Sequence, residues 1–371
     1  MTDDILLIPG PVVLSEKVTA ALVAPFSVPD YFQTYKSALL RTRKVFRAGS
    51  QGLPLILAGS GTLGWEVAAS NLLAPGERAL VVSTGYFGDH LAECLAIYGA
   101  EVKKLDAPLG DVVPLETIRQ SLLAKKTAMI TLTQVDTSTG VLTDVGAIAS
   151  LVHKVSPETL IIVDGVCSLG CEDFRFQEWK IDYALTGSQK ALGAPPGLSV
   201  SMVSDRALEK ALNRPSEATY YTSLKRWAPV MRLYEQGKGA YFATPAVQLL
   251  DALNAALGEI LDEGLDVHVA KHKKASDWLK NELQTRFKLK MVPVRPEVAA
   301  HGLTVAYYDT PADLIAEMKK LHIVITGGIH KDLKSKTIRI GHMGVSACEP
   351  SKRHLQLCVD ALAKSLQLCT E

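Results

Sequence analysis

Six short apolar runs, separated by stretches with helical spacing, constrain this chain more than any other feature. The runs cover residues 54–57, 78–83, 128–132, 159–163, 183–186 and 198–203. Continuous apolar runs of this length suit strands buried on both faces. Helical patterns lie between them, for example at residues 63–73, 89–98 and 115–125. The alternation predicts an α/β fold with a mostly parallel sheet covered by helices. A long helical stretch follows from 245 to about 263. Residues 268–274 turn polar and charged, and from 277 the chain reads as helix, strand, helix, hairpin, helix. A length of 371 residues exceeds what one core usually holds. The expected division is an N-terminal arm (1–20), a large domain (21–262) and a smaller α+β domain (263–371).

Composition removes several classes of function. The net charge is +1, and no basic cluster stands out, so nucleic acid is not an expected partner. No apolar run reaches 18 residues, so no membrane span is expected. The acidic start Met1-Thr-Asp-Asp4 has no signal-peptide pattern, and the expected address is cytoplasmic. Six cysteines are scattered along the chain and read as reduced thiols. Cys167 and Cys171 are four apart without a nearby histidine cluster, so packing is expected there and no metal site is assigned.

Three segments carry chemistry. In Thr186-Gly-Ser-Gln-Lys-Ala-Leu-Gly-Ala-Pro-Pro-Gly197 a single lysine, Lys190, stands between a strand and a turn of small residues. Burial or nearby charge can turn such an amine into a nucleophile for an aldehyde cofactor, and the small neighbours leave room for a flat ring. Ala58-Gly-Ser-Gly-Thr-Leu-Gly64 follows an apolar run and opens a helix. It is either a phosphate cradle at a helix N-terminus or an ordinary turn. No Gly-Lys-Ser/Thr follows, and the glycine frame is not that of a dinucleotide loop. Asp164 ends the run 159–163, where it could hold a pyridinium nitrogen protonated or simply cap the next turn.

Taken in order, these segments resemble the fold-type I, pyridoxal-phosphate-dependent class V aminotransferases. The alanine–glyoxylate and serine–pyruvate family, in particular its fungal alanine–glyoxylate type, is the most similar. The likeness also takes in residues 6–11, 135–142, 163–170, 237–245 and 337–341. It implies a seven-stranded sheet in the large domain and pyridoxal 5'-phosphate as cofactor. Lys190 is implied to bind the aldehyde and move the proton, and Asp164 to pair with the ring nitrogen. Ser60, Gly61 and Thr62, with Gln189 beside them, are implied to hold the phosphate. Phe87 would stack on the ring where relatives often carry Trp, Ser138 would bond its hydroxyl side, and Val166 would pack against it. Tyr241 and Thr244 match positions that reach a neighbouring subunit, which implies a homodimer with shared active sites. Arg339 is implied to take the substrate carboxylate, and Gly10 to line the substrate pocket with backbone.

The activity so implied is amino transfer from L-alanine to glyoxylate, giving pyruvate and glycine. Other class V activities are the alternatives: serine–glyoxylate, serine–pyruvate or phosphoserine transamination, or desulfuration, for which Cys348 is the candidate cysteine. A cofactor-binding relative without turnover is a further one. One departure is local. Relatives carry a Gly-His pair before an early Pro-Glu-Phe segment, whereas residues 27–32 here contain no histidine, so donor preference could differ.

Overall fold

The computed structural model describes residues 4–25 and 28–368, which leaves Ser27 of the segment just named outside the described residues. In chain order the strands are β1 (Ile5–Leu6), β2 (Leu53–Ala58), β3 (Arg78–Ser83), β4 (Glu101–Asp106), β5 (Met129–Thr133), β6 (Val135–Asp136), β7 (Val141–Leu142), β8 (Leu160–Asp164), β9 (Tyr183–Gly187), β10 (Leu198–Val203), β11 (Leu303–Tyr307), β12 (Ile323–Val324), β13 (Thr326–Gly327) and β14 (Thr337–Gly341). The helices are α1 (Glu16–Leu22), α2 (Val28–Val45), α3 (Gly61–Leu72), α4 (Tyr86–Ile97), α5 (Leu115–Ala124), α6 (Val145–Val155), α7 (Asp205–Leu212), α8 (Leu224–Glu235), α9 (Val247–Glu263), α10 (Leu265–Thr285), α11 (Pro311–Lys320), α12 (Val345–Cys348) and α13 (His354–Leu368).

Seven strands form the main sheet in the order β2-β10-β9-β8-β5-β3-β4. β10 pairs antiparallel with both neighbours, and every other ladder is parallel, so six strands share one direction. All six apolar runs are strands of this sheet, and β3, β5, β8, β9 and β10 are buried at every position. The seventh strand, β4, has no apolar run. Its sequence Glu-Val-Lys-Lys-Leu-Asp is mostly exposed or half-buried at the solvent-facing edge of the sheet, where charge discourages pairing with another chain; the other edge strand, β2, is buried.

The polar stretch 268–274 is not a break. It is part of α10, which starts at Leu265 and runs 21 residues. His268, His272, Ser276, Leu279 and Leu283 are its buried residues, one face of a helix at near four-residue spacing. The charged residues among them occupy the other side.

Two further packing units complete the chain. A three-stranded sheet, β11-β14-β13, is antiparallel throughout. It shares a core with α10, α11 and α13 through Leu279, Leu283, Leu314, Ile338, Ile340, Val359 and Leu362. β1 pairs in parallel with β12, which ties residues near the N-terminus to this C-terminal unit. Val135, Cys167, Val292, Leu303 and Val305 form a small apolar cluster where β11 and its flanks meet β6 and the loop after β8. Among the described residues no helix is long and apolar enough to cross a membrane.

This topology places the chemistry. β2, β3, β5, β8 and β9 all end at one edge of the sheet. Ser60, Phe87, Ser138, Asp164 and Lys190 each lie at, or a few residues beyond, one of those ends. The crevice outside the carboxyl ends of parallel strands is where open α/β sheets bind ligands.

Candidate active site

Asp164 is the last residue of β8 and is buried. Its Oδ2 accepts from Trp65 Nε1 at 2.7 Å, and its Oδ1 accepts from the Val166 backbone N–H at 2.9 Å. Burial pushes its pKa up to about 6, while those two donors and the Lys190 charge pull it down. An ionised carboxylate offers about four acceptor positions, so two remain open for a ring nitrogen. Trp65 sits on the first turns of α3, directly after the Gly-rich loop. Sequence reasoning missed it, because the contact spans 99 residues.

Lys190 follows β9 in a turn pinned from several sides. Ser188 Oγ donates to the Pro195 carbonyl at 2.5 Å, and Gly193 N–H donates to the Lys190 carbonyl at 2.9 Å. Lys190 Nζ donates to the Pro9 carbonyl, so the segment after β1 closes over the amine. A Cβ on Gly10 would come within 2.8 Å of Nζ, so only glycine lets the backbone pass there. Another half-buried lysine, Lys280, has its pKa lowered to about 8 by desolvation. It lies in α10 and donates to the Ala300 carbonyl.

A second buried acid stands beside the first. Asp136 is completely buried. Its carboxylate accepts from the N–H groups of Phe87 (3.0 Å), Gly88 (3.3 Å) and Ser138 (2.9 Å) and from Ser138 Oγ (2.6 Å). Burial raises its pKa and these four donors oppose the rise. Asp136 thereby fixes the start of α4, where its charge also meets the helix dipole favourably. Ser138 Oγ donates to Asp136 and accepts from the Tyr86 N–H at 2.9 Å. Its hydroxyl proton is already committed, which leaves at most a lone pair toward a cofactor. The segment 135–142 pointed to Ser138, but the residue that orders this corner is Asp136.

Around them lie the remaining residues expected from the sequence. Phe87 is half-buried on α4. Val166 covers Gly61, where a Cβ would meet Val166 Cγ2 at 2.6 Å. Ser60 and Thr62 are exposed at the start of α3, and the Ser60 hydroxyl makes no capping bond. Arg339, on β14, is 7% exposed. Its Nε donates to the Gly327 carbonyl at 2.8 Å and its Nη1 to the Thr137 carbonyl at 3.3 Å. Two of the five guanidinium N–H groups are thus used, and three remain. Burial lowers the Arg339 pKa, and Cys167 and Asp136 oppose that. Cys167 in turn feels the charges of Lys190, Asp164 and Asp136, which places all five residues in one neighbourhood.

Tyr241 and Thr244 stand apart. Both are exposed, Tyr241 by 74%, and their hydroxyls meet each other at 3.1 Å. Cys348 lies in α12, 8% exposed, with its thiol pKa pushed up to about 12 by burial. It is packed in a helix and lacks the loop placement that desulfuration chemistry would need.

The residues fit pyridoxal phosphate. The first N–H groups of α3 have no intrahelical partners and sit behind a glycine that no other residue could replace without moving Val166. Gln189 Oε1 is buried without a partner beside this cradle; a half-turn of the carboxamide would present its NH2 group to an anion. Asp164 supplies a buried carboxylate for a ring nitrogen, and Lys190 supplies an amine for an aldehyde.

Comparison with known proteins agrees with this geometry. The family described as Aminotransferase class-V matches residues 31–343. The chain is 48% identical to alanine–glyoxylate aminotransferase 1 of Saccharomyces cerevisiae over 377 aligned positions, covering 98% of each. It is 29% identical to serine–glyoxylate aminotransferase of Arabidopsis thaliana, over 91% of this chain and 85% of the relative. The crystal structure of an alanine–glyoxylate aminotransferase from Nostoc sp. superposes with a TM-score of 0.90 at 28% identity, covering 99% of this chain and 96% of that one.

Trp65→Phe removes one donor from Asp164 and keeps an aromatic ring. A donor to the charged form lowers a carboxyl pKa, so its loss raises it further above about 6. The expected rise is roughly one to two units, from about 1.5–3 kcal/mol for a hydrogen bond to a charged group. Carbon-13 NMR of labelled aspartate in cofactor-free protein reads it directly. An unmoved titration would remove Trp65 from the control of Asp164.

Proposed function

The chain belongs to the class V aminotransferases, and we propose that it moves the amino group of L-alanine to glyoxylate, giving pyruvate and glycine. The observation that carries this reading is the 48% identity to the yeast alanine–glyoxylate enzyme over nearly the full length of both chains, with Lys190, Asp164 and Arg339 gathered at one sheet edge. The cofactor is pyridoxal 5'-phosphate, which when bound supplies a sink for the electron pair left as the α-proton departs.

The protein's own groups do the rest. Asp164, desolvated and held by Trp65 and Val166, keeps a counter-charge for a protonated ring nitrogen. Ser60, Gly61, Thr62 and the start of α3 would hold the phosphate, and Phe87 and Val166 would pack against the ring. Lys190 Nζ, steadied by the Pro9 carbonyl, takes the proton from the substrate α-carbon and returns it to the other end of the transfer. Arg339 holds the carboxylate that alanine, pyruvate, glyoxylate and glycine all share, so one guanidinium serves both half-reactions. Its burial shields the ion pair from water and strengthens it. Donor and acceptor use the pocket in turn, which gives ping-pong kinetics.

The likeness to the Arabidopsis serine–glyoxylate enzyme supports glyoxylate as acceptor and makes serine the donor to compare. A donor and acceptor panel on purified protein decides: alanine with glyoxylate should give the highest kcat/KM, and a clear preference for serine would replace alanine. Arg339→Ala should weaken productive binding of both acids by about 1.5–3 kcal/mol, the usual loss for a hydrogen-bonded charge. A KM unchanged for both would remove Arg339 from the substrate site.

The active assembly in this reading is a homodimer. A tyrosine 74% exposed on a loop rich in glycine and small residues supports a role across a subunit boundary, with Tyr241 and Thr244 completing the partner's phosphate site. Tyr241→Ala should raise the dissociation constant for pyridoxal phosphate by at least about tenfold, the loss of one hydrogen bond to a charged group. Sedimentation should show dimers of the unmodified protein. A monomer with full activity would overturn the shared site.

A further inference from the structure

A carboxylate outside the active site joins the loop after β8 to the C-terminal sheet. Glu172 ends that loop and is 4% exposed. Its Oε1 accepts from the His301 backbone N–H at 2.5 Å, and its Oε2 accepts from His301 Nδ1 at 2.6 Å. Both carboxylate oxygens thus hold a single residue 129 positions away, and short bonds to a carboxylate are the strong kind. Lys280 stands near enough for its charge to act on the same carboxylate. It donates to the carbonyl of Ala300, the residue before His301.

The Glu172 end is wound on itself. Glu172 N–H donates to the Ser168 carbonyl at 2.8 Å, Leu169 N–H to the Gly165 carbonyl at 3.0 Å, and Gly165 N–H to the Leu185 carbonyl of β9 at 2.8 Å. This loop carries Val166 beside Asp164. The His301 end leads to Arg339. β11 begins two residues later and pairs with β14 so that Val305 stands opposite Arg339. His342 N–H, just past β14, donates to the Gly302 carbonyl at 2.9 Å. A third corner closes the circuit. Ala300 N–H donates to the Gly140 carbonyl at 2.9 Å, and Arg339 Nη1 donates to the Thr137 carbonyl at 3.3 Å. A Cβ on Gly140 would meet Val305 Cγ2 at 2.9 Å, so β11 lies tight against this corner.

We propose that Glu172 is a positioning residue: by holding His301 with both oxygens it fixes β11 and β14, and so sets the Arg339 guanidinium at its working distance from Asp164 and Val166. It acts through Arg339 and not on the substrate. The proposal rests on the reading of Arg339 as the group that takes the substrate carboxylate. A guanidinium meets a carboxylate through a planar fork, so its placement matters as much as its charge. A displacement of about 1 Å at such a contact can cost on the order of 100-fold in rate. Close-packed interiors pass such shifts along, and the ring of contacts from Glu172 to Arg339 gives the shift its route.

The test is a double-mutant cycle on the cofactor-loaded enzyme. His301→Ala should raise KM for alanine and for glyoxylate at least about tenfold. The effect should fall on KM and leave kcat nearly unchanged, because the carboxylate is held alike in ground and transition states. Affinity for pyridoxal phosphate and the absorption of the bound cofactor should stay those of the unaltered enzyme. His301→Asn, whose side-chain NH2 can donate to Glu172 from about the place of Nδ1, should restore KM. In an Arg339→Ala background, His301→Ala should add less than about twofold, since both changes remove one contact. Should His301→Ala not fold, Glu172→Asp carries the same cycle, since it keeps the carboxylate and shortens its reach. A merely structural link would lower the melting temperature and leave KM alone. That outcome, independent effects in the double variant, or an Asn variant no better than Ala would overturn the positioning role while Arg339 keeps its own. Arg339→Ala with unchanged KM would remove the carboxylate assignment and this role with it.

Discussion

A carboxylate kept out of water at the end of a central strand sets the terms for everything else. Burial disfavours the charged form of Asp164, and its pKa is pushed up to about 6 for that reason. Two donors, Trp65 Nε1 and Val166 N–H, keep the charged form within reach. Both donors come from segments that also build the phosphate cradle: Trp65 from the helix that opens there, Val166 from the loop whose side chain covers Gly61. The acid proposed to pair with the ring and the groups proposed to position its phosphate are therefore one packed unit. A shift in either would misplace the other, because protein interiors transmit displacement rather than absorb it.

A second polar layer supports the first. Asp136 takes four hydrogen bonds from the start of α4 and from Ser138, so the helix that carries Phe87 is anchored to the strand system. Arg339 reaches the same corner from β14 by way of the Thr137 carbonyl. The C-terminal sheet thereby delivers a cation to a site built mainly by the larger sheet. The segment after β1 closes the other side, because β1 pairs with β12 and places Pro9 and Gly10 over Lys190. The substrate pocket is thus framed by both ends of the chain, which explains why a lysine in mid-sequence can be enclosed.

Much of this was legible in the residues. Lys190 and Asp164 stand out because each follows an apolar run beside small residues, and that local pattern survives folding. Six strands were visible because they are buried on both faces. β4 was not, because its edge faces solvent and carries charge, whereas the other edge strand, β2, is buried and apolar. The start of α10 was hidden for a related reason: its exposed lysines mask a buried face that recurs at 268, 272, 276, 279 and 283. Trp65 was missed because its partner lies 99 residues away, and Asp136 because the helix start that it anchors lies about 50 residues away; no local spacing encodes such contacts. An aromatic four residues into the helix after a Gly-rich loop, facing a strand-end acid, is the signal that could have found Trp65.

Two half-buried lysines make the decisive experiment possible. Lys190 lies over the Asp164 site, whereas Lys280 has a lowered pKa of about 8 but donates to the Ala300 carbonyl in another part of the molecule. Borohydride reduction of the cofactor-loaded protein, followed by peptide mapping, reads which amine carries the pyridoxal group. The Lys190 assignment requires the label on the peptide containing residues 186–197 and nowhere else, with labelling lost in Lys190→Ala. A label on Lys280, on any other lysine, or on none would contradict it.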